Sequence, residues 1–369
     1  MENIKRILNE EIEKVFLLSE RIVSEDIKSA ASFVLNEIVD FESEILEQNW
    51  KPSTNGKAKV FMDDFYINSK DLFFKNFLLT LRLVKLKSFE GISKDELFAN
   101  NHGNFNDESM MLTENKKAIS GKIRLNIFYK EGNINNNITL GLIYHELLHY
   151  YESYKRLLKY GEKSFSNLHS VYNIAHKKMA LDGKAENKPF LYGLGTLVYC
   201  LCYFERNAFM STLYGELIRV SCNSIECLKG QFKETKTYNN YYIFLENPEE
   251  IFNKSMISED LDLQKINEII KNSVESYNET NINNKVKLEN IEFYYNGEGI
   301  EKYINKIYKL VKKSKERTDK KLPYAFEKIL FDRKKKILAI RESDLFFLQN
   351  IPNRILTVEE SYKMGLFKI

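Results

Sequence analysis

Residues 143–150 read Ile-Tyr-His-Glu-Leu-Leu-His-Tyr, and the rest of the chain is best understood outward from them. His145 and His149 stand four positions apart. On a helix, residues i and i+4 are neighbours on one face, so two imidazoles can point at one ion. Glu146 is turned about 100° from His145. It is badly placed to be a further ligand on that face and well placed to reach a water held there. The pattern predicts a long helix from Thr139 to Tyr160, stopped by Gly161. On that helix Leu140, Ile143, Tyr144, Leu147, Tyr151, Tyr154 and Leu158 fall on one side. The two histidines fall on the other, so a second layer or a cleft must cover them.

A catalytic zinc takes three protein ligands and keeps a fourth position for water. A third histidine six residues beyond the second would be at position 155, which is Lys155, and the glycine expected at 152 is Glu152. A carboxylate from a later helix is the other solution. The apolar run Phe190 to Phe204 ends at Glu205, inside a helix that should be buried from Pro189 through Arg219. A buried carboxylate needs a cation, and a metal would be that cation. Glu152 and Glu216 are alternatives for the third ligand; Glu152 is one turn beyond His149 and suits a role in orienting it.

Before this region, residues 119–130 alternate apolar and polar, with Ile119, Ile123, Leu125, Ile127 and Tyr129 at odd positions, the mark of a half-buried strand. Residues 57–87 hold two further strands, and 100–116 read as a loop. Two amphipathic helices, 3–24 and 26–48, come first, with Ser24 as a cap for the second. After residue 225 the periodicity predicts helices over 249–256, 259–277, 299–317, 323–332 and 357–365, and short strands over 286–295 and 336–341. The expected fold class is therefore α+β. A domain over 1–225 would carry N-terminal helices (1–50), a small mixed sheet (57–130) and the active-site helices (139–219). Residues 226–369 would form a mostly helical subdomain.

Bulk properties restrict the partners. The chain has 369 residues, 43% hydrophobic and 29% charged, with a net charge of +3, so no overall field favours nucleic acid or an anionic membrane. Residues 301–341 hold 15 Lys or Arg against 5 acids, but Ile304, Ile307, Tyr308 and Val311 give them the apolar stripe of a solvated helix. The acid-rich N-terminus is unlike a secretory signal, and the longest apolar run is too short for a membrane span. The expectation is a cytoplasmic protein with reduced thiols. Cys200 and Cys202 would then be small core residues; a zinc site made with Cys222 and Cys227 is the less favoured reading.

His145, Glu146 and His149, followed by Glu205 on its own helix, resemble the gluzincin group of zinc metallopeptidases. The resemblance spans about residues 119–217. It implies a zincin-like fold, a Zn2+ ion on His145, His149 and Glu205, and Glu146 as general base. It also implies a peptide or protein substrate, laid along strand 119–130 as an exposed sheet edge. Thermolysin-like members carry an aspartate four residues after the ligand glutamate. Here that position is Phe209. The chain looks more like the compact cytosolic proteases that cleave phage repressors, or like bacterial zincin toxins. Candidates for stabilising an oxyanion are His169, His176 and nearby tyrosines. Two other expectations compete: a zincin fold serving as a structural or binding module, such as a phage particle component, and a zinc hydrolase of a non-peptide amide.

Overall fold

Alternating apolar residues build a sheet whose inner face is one apolar layer. The computed structural model describes residues 23–42, 50–52, 58–68, 76–86, 102–106, 122–128, 134, 136–160, 167–248, 262–281 and 285–334. The strands are β1 (Lys51–Pro52), β2 (Ala58–Asn68), β3 (Asn76–Leu86), β4 (His102–Asn106) and β5 (Lys122–Phe128), in the order β1-β2-β3-β5-β4. β3 and β5 are parallel, and the other pairs are antiparallel. Register places Leu79, Leu81 and Leu83 beside Ile123, Leu125 and Ile127, all of them buried. Side chains directly opposite on neighbouring strands share a face, so these six residues form the floor of the core.

The sheet corrects two expectations. Strand 119–130 is not the edge: β5 lies between β3 and β4. Among the described residues the edge on that side is β4, in the stretch read from sequence as a loop. Its residues, His102-Gly103-Asn104-Phe105-Asn106, are mostly polar or glycine, which hides a strand from propensity. Pairing with β5 supplies the stability that its own composition lacks.

Helices supply the second layer: α1 (Glu25–Asp40), α2 (Asn137–Tyr160), α3 (Asn167–Ala185), α4 (Pro189–Leu201), α5 (Tyr203–Leu217), α6 (Ile225–Phe232), α7 (Ile243–Glu246), α8 (Leu263–Thr280) and α9 (Ile300–Asp319). A further helix, α10, occupies 322–334. Ser24 caps α1 by accepting from the Ile27 amide, as its sequence suggests. The helix expected from Pro189 through Arg219 is broken at Cys202, whose backbone is extended at φ −61° and ψ 122°. No proline or glycine marks that break; the requirement is tertiary, because α5 must turn to lie along α2. α3 was not foreseen. Of the later expectations, 259–277, 299–317 and 323–332 correspond to α8, α9 and α10. Segment 286–295 is a 3-10 turn (Leu288–Asn290) and irregular chain, not a strand. Helices 3–24, 249–256 and 357–365 and strand 336–341 lie outside the described residues, wholly or nearly so. Basic helix α9 buries Tyr303, Ile307, Leu310 and Val311 and turns its lysines outward, as its stripe implies. Among the described residues no helix is long and apolar enough to cross a membrane.

The cysteines also differ from expectation. Cys222 and Cys227 form a disulfide across the turn between α5 and α6. Cys200 and Cys202 are free, buried thiols around the α4–α5 break, so the four do not meet at one ion.

α10 ties the chain's distant parts together. Asp332 accepts from the Tyr214 hydroxyl at 2.8 Å and pairs with Lys28 at 2.7 Å and Lys328 at 3.3 Å. Lys328 is only 2% exposed, so this carboxylate stabilises a charge that has left water. Asp332→Asn is expected to lower unfolding free energy by about 3 kcal/mol, read from the urea midpoint at unchanged slope.

Candidate metal centre

The site is built on two antiparallel helices: from Gly141 to His149 the partners run down from Glu216 to Glu205. On α2, every residue from Thr139 to Tyr151 is buried, the two histidines and Glu146 included. α5 covers the histidine face. Glu216 meets Gly141, Thr212 meets His145, Glu205 meets His149, and Asn207 meets Glu152. Residues 205, 212 and 216 share one face of a 3.6-residue helix, so a single stripe of α5 faces the histidines. Close approach is set by Gly141 and Gly215. A Cβ on Gly141 would lie 2.8 Å from Glu216 Cγ; one on Gly215 would lie 2.8 Å from Gly141 Cα and 2.7 Å from Tyr144 Cδ2.

His145 Nε2 and His149 Nε2 are 3.2 Å apart, and Glu205 Oε2 is 3.3 Å from the first and 3.4 Å from the second. Zinc–ligand bonds of roughly 2.0–2.1 Å in a tetrahedron give edges of about 3.3–3.4 Å. The three donors therefore already stand at the corners of one tetrahedral face, and they form a group that could hold a metal ion. Glu205 Oε2 is buried against the two imidazole nitrogens, with no hydrogen bond of good geometry among the described residues. A buried carboxylate oxygen in that condition needs a cation.

Electrostatics agree. Burial raises the Glu205 carboxyl, but His149 and His145 more than reverse this and hold it well below the usual carboxylate range. Burial pulls the His149 imidazole down, and Glu205, Glu146 and Glu152 more than reverse it, lifting it to about 9. The field at the histidines favours positive charge.

Thr212 fixes which nitrogen of His145 faces the centre. Its hydroxyl donates to the Ala208 carbonyl at 2.8 Å, so its oxygen accepts the Nδ1–H of His145 at 2.9 Å. Nε2 is left with its lone pair toward Glu205 and His149. Sequence reasoning missed Thr212, although its position seven residues after Glu205 puts it on the same face. Phe209 packs against the His145 ring at 5.4 Å and stacks on Tyr241 at 4.1 Å.

Glu146 faces the sheet. A Cβ on Gly103 of β4 would lie 2.4 Å from Glu146 Oε1, so the carboxylate occupies space that only glycine leaves free. Burial raises its pKa against the opposing pull of His145 and His149. The other candidates are placed differently. Glu152 accepts from Asn207 Nδ2 at 3.2 Å and adds negative charge near His149. Glu216 lies at the far end of the helix contact, bonded to Lys236 and Thr237. His176 bonds the Gly195 carbonyl through Nδ1 at 2.9 Å and packs on Tyr199, whose hydroxyl faces Glu205. The side chain of His169 lies outside the described residues.

No protein-family model, curated protein or solved structure matches this chain.

Thr212→Val keeps the shape and removes the acceptor. It should weaken metal binding 10- to 100-fold in chelator competition. Gly141→Ala should push the two helices apart, lowering stability by about 1–3 kcal/mol in urea unfolding and loosening the metal as well.

Proposed function

We propose that this chain is a zinc-dependent metallopeptidase of gluzincin type with a zincin-like catalytic region. The observation that carries the reading is the 3.2–3.4 Å spacing of the His145, His149 and Glu205 donors. It is joined to a glutamate in the one position of the motif that serves proton transfer. A nitrogen–nitrogen–oxygen set of this size suits zinc better than a hard oxygen-loving cation. Bound there, zinc supplies Lewis acidity, which polarises a carbonyl and makes water a nucleophile at neutral pH.

The protein's own groups perform the rest. Glu146 takes a proton from the attacking water and passes it to the leaving amine. Burial favours its proton-bearing form, which suits the second half of that task. β4 ends the sheet among the described residues, runs antiparallel to β5 and presses Gly103 against Glu146. An extended peptide can pair with its free edge through main-chain hydrogen bonds, which brings a scissile amide beside the base with little demand on sequence.

Purified protein should carry about one zinc per chain by elemental analysis, and should cleave fluorescein-labelled casein. Glu146→Gln should keep the zinc and lose activity by a factor of about 10²–10⁴. Full activity in that variant would remove Glu146 from the chemistry. Protein that binds no zinc would instead favour a structural or binding module.

A further inference from the structure

The chain leaves α5 after Leu217 and returns to it at Thr237. At the return, Glu216 clamps the chain. Its Oε1 accepts from the Lys236 amide at 3.0 Å, and its Oε2 accepts from the Thr237 amide at 3.1 Å and the Thr237 hydroxyl at 2.7 Å. At the departure, the turn is held by its own bonds and by two long-range ones. The Cys222 amide donates to the Val220 carbonyl at 2.8 Å. Arg333 donates to the carbonyls of Leu217, Ile218 and Cys222, so one guanidinium joins the last turn of α5 to the turn beyond it. The Cys222–Cys227 disulfide ties that turn to the start of α6, where Ser224 accepts from the Cys227 amide at 3.2 Å.

The two halves of the disulfide are placed differently. Cys222 is 2% exposed, whereas Cys227 is on the surface. A thiolate in the medium therefore reaches the bond from the Cys227 side, and disulfides with an accessible sulfur are the labile ones. Stabilisation by a cross-link grows with the loop it closes, and the sequence separation here is only 5. As a staple the bond is at the low end of what disulfides supply. Its position counts for more, because it fixes the residue whose carbonyl shares Arg333 with the end of α5. Cys200 and Cys202 are buried at the α4–α5 break, so the chain offers no accessible thiol of its own for exchange.

We propose that Cys222–Cys227 is a redox-operated clasp on α5, opened by an external dithiol. One thiolate of the dithiol attacks Cys227 Sγ. The bond to Cys222 breaks, and Cys222 leaves with the electron pair and takes up a proton. Arg333, bonded to the carbonyl of that residue, places positive charge near the departing sulfur. The second thiol of the dithiol then attacks the mixed disulfide and releases Cys227 as a thiol. Two electrons have passed from the dithiol, which ends as a disulfide, to the protein pair. Once open, the turn no longer holds the Cys222 carbonyl against Arg333. The last turn of α5 frays, and Glu216 within it loosens its grip on residues 236 and 237. The thiol–disulfide state of the medium thereby sets the order of the helix that also carries Thr212 and Glu205. This holds whether or not an ion is bound, because the device acts on the end of the helix.

Dithiothreitol and iodoacetamide test it on the native protein. Oxidised protein should take up no label. After dithiothreitol, mass spectrometry should find label on Cys227 and Cys222, with Cys200 and Cys202 unlabelled. Hydrogen exchange should then quicken about tenfold at the amides of residues 218–222 and, away from the disulfide, at those of Lys236 and Thr237. The double variant Cys222→Ser/Cys227→Ser should show the fast exchange without any dithiol. Should it fail to fold, wild type reduced and blocked with iodoacetamide gives the same comparison. A disulfide that takes label only after denaturation would overturn the proposal, as would label on both cysteines before any dithiol is added. Reduced protein whose exchange is unchanged at 236 and 237 would overturn it as well, since the bond would then act on its own turn alone.

Discussion

Two glycines set the distance on which the site depends. Where α2 and α5 cross, Gly141 and Gly215 meet backbone to backbone, and a methyl group on either would strike the opposite helix or Tyr144. Helices that touch through larger side chains lie about 8–10 Å apart. Brought closer, the short side chains of α5 reach the histidines directly. Thr212 can then bond an imidazole at 2.9 Å, and Glu205 can stand within 3.4 Å of two Nε2 atoms. The antiparallel sense does the remaining work, since it matches each turn of one helix to one turn of the other. Displacing the crossing would misplace the anchor, the third donor and the clamp at Glu216 together.

Enclosure follows from the same packing, and it explains why charges in the site are so strongly coupled. His145 and His149 are each 9% exposed and Glu146 3%. In such surroundings an uncompensated carboxylate is costly, and the interaction between neighbouring charges is much stronger than in water. Glu205, Glu146 and Glu216 lie along one helix crossing. A divalent cation among the donors would offset much of this negative charge. The metal would thus stabilise the crossing as well as equip it for chemistry.

What could be read from the sequence was whatever depends on local spacing. The i, i+4 histidines, the intervening glutamate and the helix around them need only the geometry of one helix. Glu205 was legible because a carboxylate after fifteen mostly apolar residues has to be compensated. The α+β class followed from periodicity, and the mostly helical structure with its small mixed sheet agrees with it. What failed depends on contacts between distant segments. β4 is a strand because β5 pairs with it, and its own residues do not announce it. Cys202 breaks a helix because α5 has to follow α2. Cys222 and Cys227 pair because α6 folds back.

Arg333 donates through its guanidinium to the carbonyls of Leu217, Ile218 and Cys222, and so completes the last turn of α5 from as far as 116 residues away. Helix ends left with bare carbonyls fray, and such long-range closures form late relative to local ones. As the chain is synthesised, the helix bearing Glu205 and Thr212 therefore emerges well before the residue that finishes it. Timing of assembly is thus written into the topology: the candidate metal-holding groups lie in the middle of the chain, and Arg333, which closes the end of their helix, follows Leu217 by 116 positions.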